Sequence, residues 1–335
     1  MSVTNKFTAW FALIYLCCLS MLFQAPALAE SLSMLDYKVT PEVIYGEGEI
    51  TQNGKSFFRD LWMDFYEPLA ETKKPRRAII FTHGGSFHRG DPRRTYDEDG
   101  AQDTSPGDYC RKFATRGYVC FAITYRLAPE GPIPSGEGYT EDDLDRNSVT
   151  IMFDQVNKIR NNMGLDPLDP SAPEDIELMS DAVLSAAEDL RTALNHIRKF
   201  SRKYNIDPEH IVLGGFSAGA ITTLNVAHGM HEPVAGAFLL SGGNVGFDIL
   251  QTVTPSSDNP PILLFQGQND LNAFFVAIPI LIEHYQEVGV NYKFAWVPAF
   301  GHFYASGVTS LSGDGSKMSV EERIVQFLEE TWTGS

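Results

Sequence analysis

The chain has 335 residues, which is long enough for one large domain with a well-buried core. Asp and Glu number 43 against 26 Lys and Arg, so the formal net charge is -17 at pH 7. Because such a chain repels nucleic acid and anionic lipid surfaces, the composition excludes both as expected partners.

The first 29 residues are predicted to be a secretory signal peptide. Lys6 supplies a positive charge, residues 7–23 form an almost unbroken apolar run, and Ala27-Leu28-Ala29 ends it with small residues at the cleavage positions. A permanent N-terminal membrane anchor is the alternative, since about 17 apolar residues lie at the short end of a spanning length. We expect cleavage after Ala29, a secreted or periplasmic mature chain, and no stable membrane anchor.

Two cysteines, Cys110 and Cys120, remain after residue 29. In an oxidising compartment they could form a disulfide, and two buried free thiols are the alternative. Neither cysteines nor histidines cluster with the spacing of metal ligands, so no metal site is predicted.

Strands and helices alternate along the chain, which predicts an α/β fold: a mostly parallel central sheet with helices on both faces. Ahead of it, the half-polar alternation of residues 58–66 suits an antiparallel edge strand. Buried strands are predicted over residues 77–82 and 118–125, with a short helix over residues 109–116 between them.

Residues 128–180, called the insertion below, interrupt this alternation. They are rich in Pro, Gly, Asp and Glu and contain one predicted helix near residues 149–161. Because an unstructured connection of that length is unusual in a compact domain, we expect a cap or lid inserted into a single domain of residues 30–335. A solvated surface excursion is the alternative.

Beyond the insertion, the alternation resumes with an amphipathic helix over residues 181–204. The later predicted elements are a strand at 211–214, a helix at 218–228, strands at 234–240 and 261–266, a helix at 272–288, a strand at 292–297 and a last helix carrying Val320, Ile324, Leu328 and Trp332.

The segment Gly215-Phe216-Ser217-Ala218-Gly219 joins the predicted strand at 211–214 to the helix that follows. A serine on a tight strand-to-helix turn stands clear of its own backbone, and glycines on either side avoid collisions with neighbouring elements. This is the G-x-S-x-G arrangement of a nucleophile elbow. Ser217 is therefore the candidate nucleophile, and a glycine-rich turn without chemistry is the alternative.

A serine nucleophile needs a base, and the base needs an acid that orients it. His302 is the only histidine after the last predicted strand and lies in a loop, so we predict that it is the base. His284 lies within a predicted helix, which makes it a poor alternative.

Asp270 is the candidate acid. It follows the strand at 261–266, on the loop at that strand's carboxyl end, and it precedes His302 in the order serine, acid, histidine. Asp248 and Asp258, on the preceding connection, are the alternative acids.

The segment His83-Gly84-Gly85-Ser86-Phe87, called the oxyanion loop below, follows a predicted strand and resembles the His-Gly-Gly-Gly loop of carboxylesterases. Residue by residue, the resemblance implies an oxyanion hole made by the backbone N–H groups of Gly85, Ser86 and Ala218. Ser86 replaces the usual third glycine, but the donor is a backbone group.

Residues 125–130, Tyr-Arg-Leu-Ala-Pro-Glu, resemble a segment of the hormone-sensitive-lipase-like esterases. With the elbow and the oxyanion loop, the resemblance covers the sheet core, roughly residues 55–127 and 181–330. Phe216 and Ala220 depart from that group's pattern beside the serine. The resemblance is therefore to carboxylesterase-type α/β hydrolases in general, and it implies their fold.

The resemblance implies acyl transfer from a small-molecule or polymer-linked carboxylic ester to Ser217, without a cofactor. His302 would act as base and then as acid, while Asp270 orients its ring. A prolyl-oligopeptidase-like serine peptidase is one alternative, although we expect such an enzyme to carry a large N-terminal propeller. A non-catalytic α/β-hydrolase binding module is another, which the presence of all three candidate residues disfavours. The sequence determines neither the acyl and alcohol parts of the substrate nor the oligomeric state.

Overall fold

The computed structural model describes residues 34–98 and 100–333. The predicted signal peptide, residues 1–29, lies outside the described residues. Within the described ranges, no helix combines the length and the apolar character needed to cross a membrane.

One ten-stranded sheet forms the centre of the fold, in the order β1-β2-β6-β3-β8-β9-β11-β12-β13-β14. It is parallel from β6 to β12 and antiparallel at both ends. Two further sheets have two strands each, β4-β5 and β7-β10. The strands are β1 Tyr37–Gln52, β2 Lys55–Pro68, β3 Arg76–Thr82, β4 Asp97–Glu98, β5 Ala101–Gln102, β6 Val119–Ile123, β7 Leu144–Asp145, β8 Ile206–Phe216, β9 Gly236–Leu240, β10 Gly246–Phe247, β11 Ile262–Gly267, β12 Tyr292–Val297, β13 Thr309–Ser312 and β14 Lys317–Ser319.

The helices connect these strands or belong to the insertion. They are α1 Pro106–Thr115, α2 Phe153–Asn162, α3 Pro173–Lys199, α4 Ser201–Tyr204, α5 Ala218–Leu224, α6 Ile249–Thr252, α7 Asn272–Val288 and α8 Val320–Thr333. Short 3₁₀ turns cover Ala128–Glu130, Glu141–Asp143 and Arg146–Met152.

The two faces of the sheet bury separate cores, as the alternation of side chains along a strand requires. On β3, Ala78 and Ile80 pack on one face with Leu190 of α3. Ile79 on the other face belongs to the core that contains Phe113 of α1. The predicted α/β fold with helices on both faces of a mostly parallel sheet is therefore confirmed.

The insertion has a buried core of its own. Val149, Phe153 and Val156 are almost fully buried, and they belong to one cluster with Val183 of α3 and Phe274 of α7. Strand β7 also pairs with β10, in the segment after β9. The insertion is therefore packed against the sheet domain, and its role as a lid stays a prediction.

Several predicted boundaries need correction. Residues 58–66 lie in β2, which is antiparallel as expected but is not the edge, because β1 covers it. Helix α3 begins at Pro173 instead of residue 181, since a proline is well tolerated in the first turn of a helix. The predicted helix after Ser217 continues only to Leu224 as an α-helix and then becomes π-helical over Asn225–Gly229.

Cys110 of α1 and Cys120 of β6 form a disulfide, which decides between the two alternatives left open by the sequence. Their Cα atoms lie 5.1 Å apart. Helix α1 packs directly against β6, and both cysteines are fully buried within the core on that face.

Candidate active site

Ser217 lies on the sharp turn between β8 and α5, with φ 53° and ψ -118°. This left-handed φ is costly for a residue other than glycine and is typical of functional turns. A Cβ atom at Gly215 would lie 2.1 Å from the carbonyl oxygen of Gly219, and one at Gly219 would lie 2.2 Å from that of Thr82. Both flanking glycines are therefore required for the elbow to close.

Ser217, His302 and Asp270 form one continuous chain of hydrogen bonds. The hydroxyl of Ser217 donates to Nε2 of His302 over 2.8 Å, and Nδ1 of His302 donates to Oδ1 of Asp270 over 2.7 Å. Because a carboxylate can only accept, Nδ1 carries the ring proton and Nε2 is free to accept. All three residues are buried. The structure thus brings together the three residues that the sequence selected.

The carboxylate of Asp270 receives further donors besides His302. The amide of Leu271 donates to Oδ1 over 2.8 Å, and the amide of Gly267 donates to Oδ2 over 3.1 Å. The hydroxyl of Ser241 donates to Oδ2 over 2.5 Å. Since a carboxylate has about four lone-pair sites, these bonds fix its plane with Oδ1 directed at His302.

The rival candidates lie elsewhere. The side chain of Asp248 accepts from the amide of Gln251 at the start of α6, and Asp258 is exposed. His284 contacts the carbonyl oxygen of Val253 through Nε2, 2.8 Å away. None of the three is hydrogen-bonded to the Ser217–His302 pair among the described residues.

The oxyanion loop packs against the nucleophile elbow. A Cβ atom at Gly84 would lie 3.1 Å from the carbonyl oxygen of Phe216, the residue before the nucleophile. Among the residues that the structure describes, no acceptor takes the backbone N–H groups of Gly85, Ser86 and Ala218. These three amides are the ones that the resemblance predicts, and their role as oxyanion donors stays a prediction.

The segment that resembles the hormone-sensitive-lipase-like esterases supports this loop. The Tyr125 hydroxyl donates to the carbonyl oxygen of His83 over 3.0 Å, and the two rings stack with centroids 4.2 Å apart. The following Arg126 makes a buried ion pair with Asp189 of α3. Burial lowers the pKa of His83 to about 4, so its ring is neutral at neutral pH.

His88, just beyond the oxyanion loop, connects that loop to the insertion. Its Nδ1 lies 2.9 Å from the carbonyl oxygen of Ser86, and Arg160 of α2 donates to its Nε2 over 3.0 Å. Burial lowers the pKa of His88 to about 4, and the positive charge of Arg160 acts in the same direction. The neutral ring can therefore donate at Nδ1 while it accepts at Nε2.

A cavity of about 240 Å³ opens beside Ser217. Its wall includes Ser86 of the oxyanion loop, Phe274 of α7, and Ile151 and Met152 of the insertion. The serine therefore faces a partly apolar space to which the insertion contributes one side.

A larger groove of about 560 Å³ lies away from this site and contains none of the predicted residues. Its charged groups are already bound, because Lys293 pairs with Glu330 and Arg323 donates to Ser310 and Ser316. We therefore assign the candidate active site to the smaller cavity. Across the described ranges, no cluster of His, Cys, Asp and Glu could hold a metal ion.

Sequence reasoning missed several residues of this site. Ser241 offered one signal, since it directly follows β9 at the carboxyl edge of the sheet. Tyr304 hydrogen-bonds to Ser241, 3.0 Å away, and lies only two positions after His302. Ile151 and Met152 carried no recognisable signal, because their place depends on how the insertion folds.

Residues 165–302 match a protein family described as Phospholipase/Carboxylesterase, a range that includes Ser217, Asp270 and His302. A search of curated protein sequences found no match. The family match identifies the chain as similar to carboxylic ester hydrolases, without distinguishing the hormone-sensitive-lipase-like type among them.

Solved structures similar to this chain include esterase 2 of the planctomycete Thermogutta terrifontis. The butyrate-bound form has a TM-score of 0.53 at 16% identity, covering 91% of this chain and 95% of that chain. The propionate-bound form has a TM-score of 0.52 at 17% identity, with the same coverage of 91% and 95%. The form phosphoramylated by tabun has a TM-score of 0.50 at 16% identity, covering 82% and 87%. At this identity the likeness establishes the α/β-hydrolase fold.

Proposed function

We propose that this chain, which has the α/β-hydrolase fold and resembles carboxylic ester hydrolases, is an exported serine hydrolase. It would cleave a carboxylic ester through an acyl-enzyme intermediate on Ser217. The hydrogen-bonded chain from Ser217 through His302 to Asp270, beside an open cavity, is the observation that carries this proposal.

In the first step, Oγ of Ser217 forms a bond to the ester carbonyl carbon while its proton passes to Nε2 of His302. The hydrogen bond of 2.8 Å already joins these two atoms. Asp270 accepts from the other ring nitrogen and stabilises the imidazolium that forms. The carbonyl electron pair moves onto oxygen, where the amides of Gly85, Ser86 and Ala218 would donate to the negative charge. Removal of one such donor lowers kcat by about 100-fold to 1,000-fold.

In the second step, the tetrahedral intermediate collapses and the bond to the alcohol oxygen breaks. His302 returns its proton to that oxygen, so the alcohol leaves neutral. Water then attacks the acyl carbon on Ser217 while His302 takes a proton from this water. The second tetrahedral intermediate collapses, the bond from the acyl carbon to Oγ of Ser217 breaks, and His302 returns the proton to Oγ, which releases the carboxylic acid. No cofactor enters either step, since each proton is carried by His302.

The insertion is proposed to shape the substrate pocket. Ile151 and Met152 line the cavity with Ser217, and Phe274 of α7 lies on the same wall. Because these side chains are apolar, they would contact the hydrocarbon part of the ester. The buried core of the insertion supports a fixed pocket wall over a solvated excursion.

Export of the protein is proposed from two features. The sequence of residues 1–29 has the layout of a signal peptide, and Cys110 is bonded to Cys120. Since disulfides persist mainly in oxidising compartments, the pair is consistent with a secreted or periplasmic protein.

A fluorophosphonate probe with peptide mass spectrometry tests the nucleophile. We expect labelling at Ser217, and loss of both labelling and ester hydrolysis in Ser217→Ala. Asp270→Asn should lower kcat by about 10,000-fold through the wrong ring tautomer, whereas the matched control Asp248→Asn should retain activity. No labelling of the folded protein would instead favour a binding module.

Substrate panels separate the remaining alternatives. Acyl esters of graded length, aryl and sugar esters and an aminoacyl amide should show turnover of esters over the amide, while preference for the amide would favour a peptidase. Ile151→Ala and Met152→Ala should alter the preferred ester length, because both side chains line the cavity. An unchanged preference in both variants would exclude a role of the insertion in the pocket.

A further inference from the structure

Behind Asp270, two buried hydroxyl groups extend the chain of hydrogen bonds away from the cavity. The hydroxyl of Ser241 bonds to Oδ2 of Asp270 over 2.5 Å, and the hydroxyl of Tyr304 lies 3.0 Å from Oγ of Ser241. Ser241 is 1% exposed and Tyr304 is 2% exposed, so water does not compete for these bonds.

The direction of each bond follows from counting protons. An ionised Asp270 only accepts, so the single hydroxyl proton of Ser241 is directed at Oδ2. Tyr304 must then donate its own proton to Oγ of Ser241. Burial, assisted by the negative charge of Asp270, raises the pKa of Tyr304 well above its ordinary value, which keeps that proton in place.

The backbone of Ser241 is held in register with the rest of the site. Its amide donates to the carbonyl oxygen of Phe265 on β11 over 3.0 Å, two residues before Gly267. The preceding Leu240 accepts from the amide of Ser217 over 2.9 Å. Ser241 therefore lies between the strand that carries the nucleophile and the strand that carries the acid.

We infer that Ser241 and Tyr304 are positioning residues, which hold the Asp270 carboxylate in the rotation that presents Oδ1 to His302. This inference rests on the proposed function and deepens it. Without the Ser241 hydroxyl, Oδ2 of Asp270 keeps only the amide of Gly267, and the carboxylate can rotate. Without the Tyr304 hydroxyl, Ser241 loses the donor that fixes its own rotamer.

Two variants remove one hydroxyl each and little else. Ser241→Ala and Tyr304→Phe should each lower kcat by about tenfold with KM nearly unchanged, since neither group touches the cavity. The loss should therefore appear in kcat and not in KM, which separates a positioning role from a role in substrate binding.

Matched controls exist for both variants. Tyr109 belongs to the same core as Tyr304, and its buried hydroxyl has no hydrogen-bond partner among the described residues. The hydroxyl of Ser185 is likewise buried and without a partner in the described part of the chain. Tyr109→Phe and Ser185→Ala should therefore leave kcat and KM unchanged.

A readout independent of turnover completes the test. The Nδ1 proton of His302, bonded to Asp270, should give a low-field proton NMR resonance that disappears in His302→Gln. Ser241→Ala and Tyr304→Phe should shift this resonance, and the two controls should not. If Tyr304→Phe does not fold, Ser241→Ala carries the test alone.

The two proposals fail in different ways. An unmoved resonance and an unchanged kcat in the folded variants would overturn the positioning role of Ser241 and Tyr304. Absence of fluorophosphonate labelling and ester turnover in the wild-type protein would overturn the proposed function, while the resonance would still report on the hydrogen-bonded chain.

Discussion

Arg160 in the insertion donates a hydrogen bond of 3.0 Å to Nε2 of His88, next to the oxyanion loop. The other ring nitrogen of His88, Nδ1, is hydrogen-bonded to the carbonyl oxygen of Ser86. The backbone amide of Ser86 is a proposed oxyanion donor. The insertion therefore contacts the proposed catalytic machinery through a hydrogen-bonded histidine as well as through the cavity wall.

Arg160→Met is expected to lower kcat/KM by about threefold to tenfold. The Nε2 atom of His88 loses its donor, and the loop that carries Ser86 loses part of its support. Steady-state kinetics with a preferred ester measure the effect. Arg202→Met, at an exposed arginine of α4, is the control. Equal activities of the two variants would contradict a coupling between the insertion and the oxyanion loop.

Ser86→Gly is expected to keep the activity and to raise stability slightly. Ser86 has φ 53°, a left-handed conformation that glycine adopts without the steric cost of about 1 kcal/mol. Because the oxyanion donor is the backbone amide, kcat/KM should stay within about threefold of wild type. Thermal unfolding and ester kinetics measure both effects. A large loss of activity in both Ser86→Gly and Ser86→Ala would show instead that the hydroxyl takes part.

Arg126→Met is expected to destabilise the protein by about 3–5 kcal/mol, because it leaves the buried Asp189 without its partner. The side chains of Arg126 and Asp189 are 4% and 2% exposed. Urea unfolding measures the loss. In the control Arg146→Met, whose partner Glu141 is 73% exposed, the loss should be at most about 1 kcal/mol. Similar losses of unfolding free energy in Arg126→Met and Arg146→Met would contradict a larger contribution from the buried ion pair.

His228 is expected to make the unfolding free energy depend on pH. Burial lowers the pKa of His228 to about 4 in the folded protein, whereas the unfolded chain takes up the proton near pH 6.5. The native state therefore loses stability as the pH falls from about 6.5 towards 4. His228→Gln should reduce this slope by at most about 1.4 kcal/mol per pH unit.

Urea unfolding at several pH values between 4 and 7 measures that slope. Burial raises the pKa of Asp103 to about 6. Such carboxyl groups contribute equally to the pH dependence of wild type and of His228→Gln, so their contributions cancel in the comparison. Replacement of the exposed His231 by Gln serves as control. Identical slopes for wild type and His228→Gln would refute the prediction.

Reduction of the bond between Cys110 and Cys120 is expected to lower the unfolding free energy by about 2–3 kcal/mol, because the bond restrains the unfolded chain. Urea unfolding with and without dithiothreitol measures the difference. The double variant Cys110→Ala/Cys120→Ala should be insensitive to the reductant. Wild-type protein that is equally insensitive would indicate that the two thiols are free.

The sequence by itself determined the succession of central strands and helices along the chain and selected Ser217, Asp270 and His302. These features are local, because a hydrophobic period, a glycine-flanked turn or an acid at a strand end can be recognised from neighbouring positions. Strand β1 escaped recognition, since Pro41, Gly46 and Gly48 interrupt its alternation. The edge position of residues 58–66 was predicted wrongly for that reason.

Only the tertiary structure decided which acid reaches His302, how the insertion packs and whether the cysteines meet. Ser217 and His302 are 85 positions apart, and Tyr304 and Ser241 are 63 apart. Contacts over such separations depend on sheet order and on the packing of connections, neither of which a local pattern contains. The adjacency of β9 and β11 brings Ser241 to Asp270, and the core of the insertion brings Arg160 to His88.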